Sequence, residues 1–254
     1  MNALAEWAPL LYAGSTWVLP VLIAITFHEA AHGFVALRFG DDTALREGRV
    51  TLNPLKHVDP FGTVVLPALL ILLRSPFLFG YAKPVPVNFA RLRNPRRDMI
   101  WVALAGPAMN VLLAIIAGLL FTLGKFLGLF EGPLSNPWLL LSYGIDQFPP
   151  GPAAWLAKNL ANAWIINALL CVFNMLPLPP LDGGRVAVGV LPNALAFPLA
   201  RLEPFGIPIL LLVLFVLPYI GGQIGLDLNI FGPLIATPAE ALIRFVLAIT
   251  GGHL

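Results

Sequence analysis

Apolar residues in this chain fall into long, nearly unbroken runs. Five of them, at 17–39, 99–123, 153–176, 205–220 and 231–249, approach or exceed the roughly 20 residues a helix needs to cross a bilayer, and each predicts a transmembrane helix. A sixth run, 62–73, stops after about a dozen residues at Arg74-Ser75-Pro76 and is too short to span. It predicts a re-entrant segment. Two short pieces have strand character: "GRVTLNP" puts Val50, Thr51 and Leu52 behind a glycine, and "AKPVPVNFA" alternates proline with valine, a pattern suited to an edge because proline cannot donate to a central ladder. The expected fold is an all-α polytopic membrane protein of five to six transmembrane helices, with a small membrane-associated β element and a re-entrant segment. It forms one integral membrane domain over 1–254, with a core at about 18–185 and C-terminal helices at about 205–250.

Composition agrees. The 254 residues are 58% hydrophobic and 11% charged, with a mean hydropathy of +0.84, against roughly 25% charged in soluble domains. The net charge of +2 is small and its basic residues sit in loops, which excludes a nucleic-acid partner and leaves the lipid bilayer as the charge-ordered surface. Arg46, Arg49 and Lys56 precede the short run, and Lys83, Arg91, Arg93, Arg96 and Arg97 follow it. Both flanks are therefore expected on the cytoplasmic side of the cell membrane, with the N-terminus and the nearly neutral 131–152 stretch outside. Cys171 has no second cysteine to pair with and reads as packing.

The chemistry concentrates in "TFHEAAHGFVALRFG", 26–40. His28 and His32 are four apart and share a helix face, so both imidazoles can reach one zinc ion, while Glu29 is placed to act as general base. Two buried, hydrogen-bonded histidines would be the plain alternative, but ionisable groups inside a membrane helix are expensive and point to function. His28 lies eleven residues from Phe39, roughly 16 Å at 1.5 Å per residue, which sets the metal inside the bilayer toward the cytoplasmic face. A third ligand is needed. Asp182, on proline-broken backbone in "NMLPLPPLDGG", and His57, in "NPLKHVDP", are the candidates. Irregular backbone at membrane depth must face a cavity, which favours Asp182. His57, beside Lys56 and Asp59, reads as a surface histidine.

Three segments together resemble the site-2 protease family of intramembrane zinc metalloproteases. They are "HEAAH" (28–32), "AGPAMN" (105–110), similar to the family's G-x-x-x-N/S/G motif, and "NMLPLPPLDG" (174–183), similar to its N-x-x-P-x-x-x-x-D-G signature. They occur in the family's order, and "KPVPVN" resembles the extended segment these enzymes keep beside the active site. The resemblance implies Zn2+ held by His28, His32 and Asp182, Glu29 as general base, and substrate- or oxyanion-binding roles for Asn110 and Asn174. Gly106 with Pro107 reads as packing. The sequence departs from some relatives in leaving no room for their PDZ or CBS domains, and the expectation is a minimal, core-only member. Its substrate would be a single-pass membrane protein, such as an anti-sigma factor or a membrane-tethered transcription factor, cut in regulated intramembrane proteolysis. A metal transporter or metal-binding membrane protein using the same side chains is the alternative. It leaves the glutamate at metalloprotease spacing unexplained.

Overall fold

The structure, a computed structural model, describes residues 3–65, 69, 72, 83–230 and 232–251. Its main elements are α1 (Ala3–Arg38), α2 (Pro95–Phe126), α3 (Pro152–Asn174), α4 (Asp182–Val190), α5 (Glu203–Ile224) and α6 (Gly232–Ile249). All but α4 are long and apolar enough to cross a membrane, α1 through its Leu11–Arg38 portion. Proline at the first position of α2 and of α3 starts each helix where the missing N–H costs nothing. The Asp98 carboxylate reaches back to the Asn94 N–H and closes the first turn of α2.

The three helices that carry the motifs also form the packed centre. Within their most apolar windows 44%, 39% and 44% of residues are buried in α1, α2 and α3, against 11% in α5 and 22% in α6. Lipid is as apolar as leucine, so close packing and hydrogen bonds rather than hydrophobicity hold such helices together. Small residues therefore line the contacts: Ala24 and Ala36 on α1, Ala103 and Ala114 on α2, Ala157 and Ala161 on α3 are buried. Large apolar side chains such as Leu19, Phe34, Leu112 and Leu123 point outward. At the end of α2 distant from its first turn, Phe121 stacks on Phe130 and meets Trp164 edge-on, closing a cluster to which α6 adds Val246 and Leu247.

Among the described residues there is no strand. The two pieces read as strand instead lie over α1: a Cβ built on Gly33 would come 3.1 Å from the Val85 side chain and 3.2 Å from that of Val50. No ladder forms because other groups take the backbone. Pro84 and Pro86 have no N–H, Val85 N–H goes to Glu29, the Arg49 guanidinium takes the Lys83 carbonyl, and Lys83 N–H goes to the His57 carbonyl. Of the short run at 62–73, most lies outside the described residues; its beginning belongs to a helical turn, Pro60–Val65.

His57 differs from expectation. It is 2% exposed and donates its Nε2–H to the Thr51 carbonyl at 2.9 Å, tucked beneath the segment that Arg49 also holds. The loop around it folds inward onto 83–88, which polarity along the sequence does not reveal.

Candidate metal centre

The centre is assembled from one turn of α1, the middle of α2 and the first residue of α4. Among the described residues, His28, His32 and Asp182 form the group whose ligand atoms converge tightly enough for one metal ion. His57 is outside it. The two Nε2 atoms are 3.0 Å apart, and Asp182 Oδ2 lies 3.3 Å from each. All three residues are buried.

What stands behind the imidazoles decides what they present. His32 Nδ1 donates to the Val102 carbonyl at 2.7 Å, and His28 Nδ1 to Asn110 Oδ1 at 2.6 Å. With hydrogens on both Nδ1 atoms, the facing Nε2 atoms carry bare lone pairs. Asp182 Oδ2 has no hydrogen-bond partner. As a carboxylate oxygen it can only accept, and neither bare Nε2 has a hydrogen to donate to it. Two lone pairs and an anionic oxygen at these separations repel unless a cation lies among them. A tetrahedral zinc with bonds of roughly 2.0–2.1 Å has edges of about 3.3 Å, close to the three separations seen here. The residues fit zinc, with three protein ligands and a fourth position left over.

Two glycine sites make the assembly possible. A Cβ on Gly106 would collide with the imidazole nitrogens of His28 and His32, so only glycine lets α2 come this close. The packing reading of this residue thus acquires a specific partner. Pro107 has no N–H to give Ala103, so the same stretch of α2 also lacks one rung. Gly183 and Gly184 play the matching part on α4: a Cβ on either would strike the backbone of 175–179, so the pair allows α4 to start against the turn that follows α3 and present Asp182 inward. Arg96 on α2 fastens the far end of α4, reaching the carbonyls of Gly189 and Leu191 and the Asn193 side chain.

Glu29 sits beside the histidines on α1, partly exposed, and its Oε2 accepts the Val85 N–H at 2.7 Å. Asn110 is fully buried, with its Nδ2 donating to Asn167 Oδ1 at 2.9 Å and toward the Ala24 carbonyl at 3.4 Å. Asn174, half-buried at the end of α3, donates to the Leu170 carbonyl of its own helix at 3.0 Å. Sequence reasoning missed Asn167 and the Val85 N–H. The first left a trace, an amide seven residues before Asn174 in an apolar helix; the second, being backbone, left only its flanking prolines. An apolar groove of about 580 Å³ lies against α1 and α2, lined by Phe27, Phe34 and Met109 and by Val50, Thr51 and Leu52, and by neither the two histidines nor Asp182.

Comparison with known proteins gives the lineage of this arrangement. The sequence model of peptidase family M50 matches residues 16–217. A Bacillus subtilis (strain 168) protein named "Putative zinc metalloprotease YwhC" is 40% identical over 202 residues, which are 79% of this chain and 80% of that protein. Proteins named "Putative zinc metalloprotease Rip2" are also similar. That of Mycobacterium tuberculosis (strain H37Rv) is 31% identical over 217 residues, covering 84% of this chain and 72% of its own length. That of Mycolicibacterium smegmatis is 30% identical over 178 residues, covering 69% and 58%. No solved structure matches. The family match takes in all three motifs, two of the five spans whole and most of two others, so the chain belongs to peptidase family M50 and is a zinc metalloprotease of the site-2 type, built as a multi-pass membrane protein.

Proposed function

We propose that this protein cuts peptide bonds within or beside the transmembrane segment of single-pass membrane proteins, with His28, His32 and Asp182 holding zinc and Glu29 as general base. The observation that carries this is the convergence of His28 Nε2, His32 Nε2 and Asp182 Oδ2 within 3.3 Å of one another, buried between membrane-length helices with Glu29 alongside. Zinc, when bound, supplies Lewis acidity toward a peptide carbonyl and toward water. The chain supplies the rest. Glu29 Oε2 is engaged by Val85 N–H, which leaves Oε1 to take a proton from the attacking water and pass it to the departing amide nitrogen.

A substrate helix keeps its carbonyls in intrahelical bonds and has to unwind before attack. Val50, Thr51 and Leu52 have N–H groups without a protein partner among the described residues. They offer the unwound segment an edge by strand addition, completing the small β element. In this reading the 62–73 run re-enters the side it came from, the site faces the cytoplasm, and one membrane domain spans 1–254 with its catalytic core at about 18–185. The substrate class is a membrane-tethered regulator, such as an anti-sigma factor or transcription factor precursor, released by regulated intramembrane proteolysis.

The test is cleavage of a model transmembrane substrate by purified protein in vesicles, comparing wild type with Glu29→Gln. Chelator-sensitive cleavage by wild type, and none by a variant that still holds zinc, supports the assignment. Turnover by Glu29→Gln at the wild-type rate rejects the general-base role, and zinc flux across the vesicle wall without cleavage favours transport.

A further inference from the structure

His28 and His32 are held differently from behind. His32 rests on a backbone carbonyl, Val102, which can only accept. His28 rests on a side-chain amide, Asn110, which could face it with either end. An oxygen facing Nδ1 requires hydrogen there and leaves Nε2 bare. A nitrogen facing Nδ1 forces hydrogen onto Nε2, on the side where His32 and Asp182 converge, and removes the lone pair a metal needs.

Something has to fix the Asn110 amide, and the bonds beyond it do so. Asn167 Nδ2 donates to the Ala163 carbonyl at 2.9 Å, one turn back on α3. A backbone carbonyl cannot donate, so the Asn167 oxygen must face away from it, toward Asn110. That oxygen accepts Asn110 Nδ2 at 2.9 Å, and the Ala24 carbonyl of α1 lies on the same side at 3.4 Å. Flipping Asn110 would set its oxygen against two acceptors, and flipping Asn167 would set its oxygen against Ala163. Each direction is therefore dictated by the one before it. Asn110 is 0% and Asn167 2% exposed, so water cannot substitute for a misdirected partner at low cost.

We propose that Asn167, acting through Asn110, is a positioning residue that locks His28 as the Nδ1–H tautomer and thereby keeps its Nε2 free for zinc. The relay crosses three helices, from α3 through α2 to α1, and couples the rotation of α3 to the state of a side chain on α1. Asn110 in this role spends its amide N–H groups on Asn167 and Ala24 rather than on substrate. The inference rests on the proposed reading of His28 as a zinc ligand and adds the device that prepares it.

The experiment uses full-length protein with ¹⁵N-labelled histidine imidazoles in detergent, stripped of metal with a chelator. Long-range ¹H–¹⁵N correlation reads each tautomer, and competition with a chelator then gives zinc affinity. In the wild type both His28 and His32 should show the Nδ1–H form. Asn167→Leu should turn His28 into a tautomer mixture and weaken zinc binding by roughly 10- to 100-fold, the range for losing support behind a metal-bound histidine. His32 should stay unchanged, which certifies the fold of the variant; Asn167→Ala provides a second reading if leucine proves too bulky.

Asn110→Asp supplies the decisive arm. A carboxylate can only accept from Nδ1–H and needs no instruction from Asn167, so adding Asn167→Leu to it should change zinc affinity by less than about threefold. Single Asn167 variants that keep the pure Nδ1–H form and wild-type affinity would overturn the relay. So would an Asn167→Leu defect that Asn110→Asp leaves uncorrected. A His28→Ala protein that binds zinc as tightly as wild type would instead remove the ligand reading, and the tautomer spectra would still report on the relay itself.

Discussion

The Glu29 carboxylate accepts the backbone N–H of Val85 at 2.7 Å, from a segment 56 residues further along the chain. Because Pro84 and Pro86 have no N–H, Val85 is the single donor across three residues, and it is aimed at one oxygen of the proposed base. Arg49, through the carbonyls of Lys83 and Pro84, keeps the segment in place. The extended stretch thus fixes which carboxylate oxygen is left for the proton.

Val85→Pro tests this directly. A hydrogen bond to a charged group contributes about 1.5–3 kcal/mol, so proteolysis should fall by roughly 10- to 100-fold. Zinc content should not change, since no proposed ligand is touched. Val85→Ala, which keeps the N–H, should cleave at near the wild-type rate. Equal rates for the proline and alanine variants, measured as kcat alongside metal content, would show that the bond does not position Glu29.

Gly106→Ala should empty the centre. The added methyl would occupy the space of the His28 and His32 nitrogens, and a buried neighbour cannot move aside without spoiling the separations on which a tetrahedral site depends. Metal analysis should show zinc binding weakened by at least about tenfold. Gly14→Ala on α1, where an added methyl meets nothing within 4 Å, should bind zinc as wild type does.

The spans and the cluster of His28, His32 and Asp182 were readable in the sequence for separate reasons. Spans follow from run length and hydropathy, which depend on no partner. His28, Glu29 and His32 follow from spacing along one helix, and Asp182 from irregular backbone that membrane depth tolerates only beside a cavity. α4 was not readable as a helix, because a nine-residue element that begins Asp182-Gly183-Gly184 looks like a turn until its glycines are seen against 175–179. The 83–88 piece, read as an edge strand or extended segment, forms no ladder among the described residues for a related reason: its hydrogen bonds go to Glu29, Arg49 and His57, residues that local pattern cannot bring together. Asn167 depends on the rotation of α3 against α2: the helix carries Asn159, Asn162, Asn167 and Asn174, and no local pattern tells which of them meets Asn110.

Arg96→Ala should loosen the hold on Asp182, the proposed third ligand. Its guanidinium holds the Gly189 and Leu191 carbonyls and Asn193 Oδ1 at the far end of the helix that begins with Asp182. Arg96 is solvent-exposed, so each bond is worth only about 0.5–1.5 kcal/mol or less, and zinc affinity should drop by no more than about tenfold. Arg96→Lys, which reaches fewer acceptors, should fall between the two. Chelator competition orders the three proteins; identical affinities would mean that α4 is held by its glycine contacts alone.

The last prediction concerns the substrate. With the candidate ligands buried between membrane-length helices, a scissile carbonyl can reach them only after leaving its own helix, and that unwinding is part of the barrier. Glycine costs a helix about 1 kcal/mol relative to alanine and proline about 3. Placing glycine, asparagine or proline within a turn of the cut should therefore raise kcat/KM several-fold to a hundredfold, and leucine at the same positions should lower it. The same replacements two turns away should do little, because unwinding there does not free the attacked carbonyl. The comparison is run in vesicles against Glu29→Gln, so that only chemistry at this centre is counted. Cleavage rates that ignore helix stability near the cut, yet still require Glu29, would show that this enzyme takes substrates already extended and acts on loops rather than on transmembrane helices.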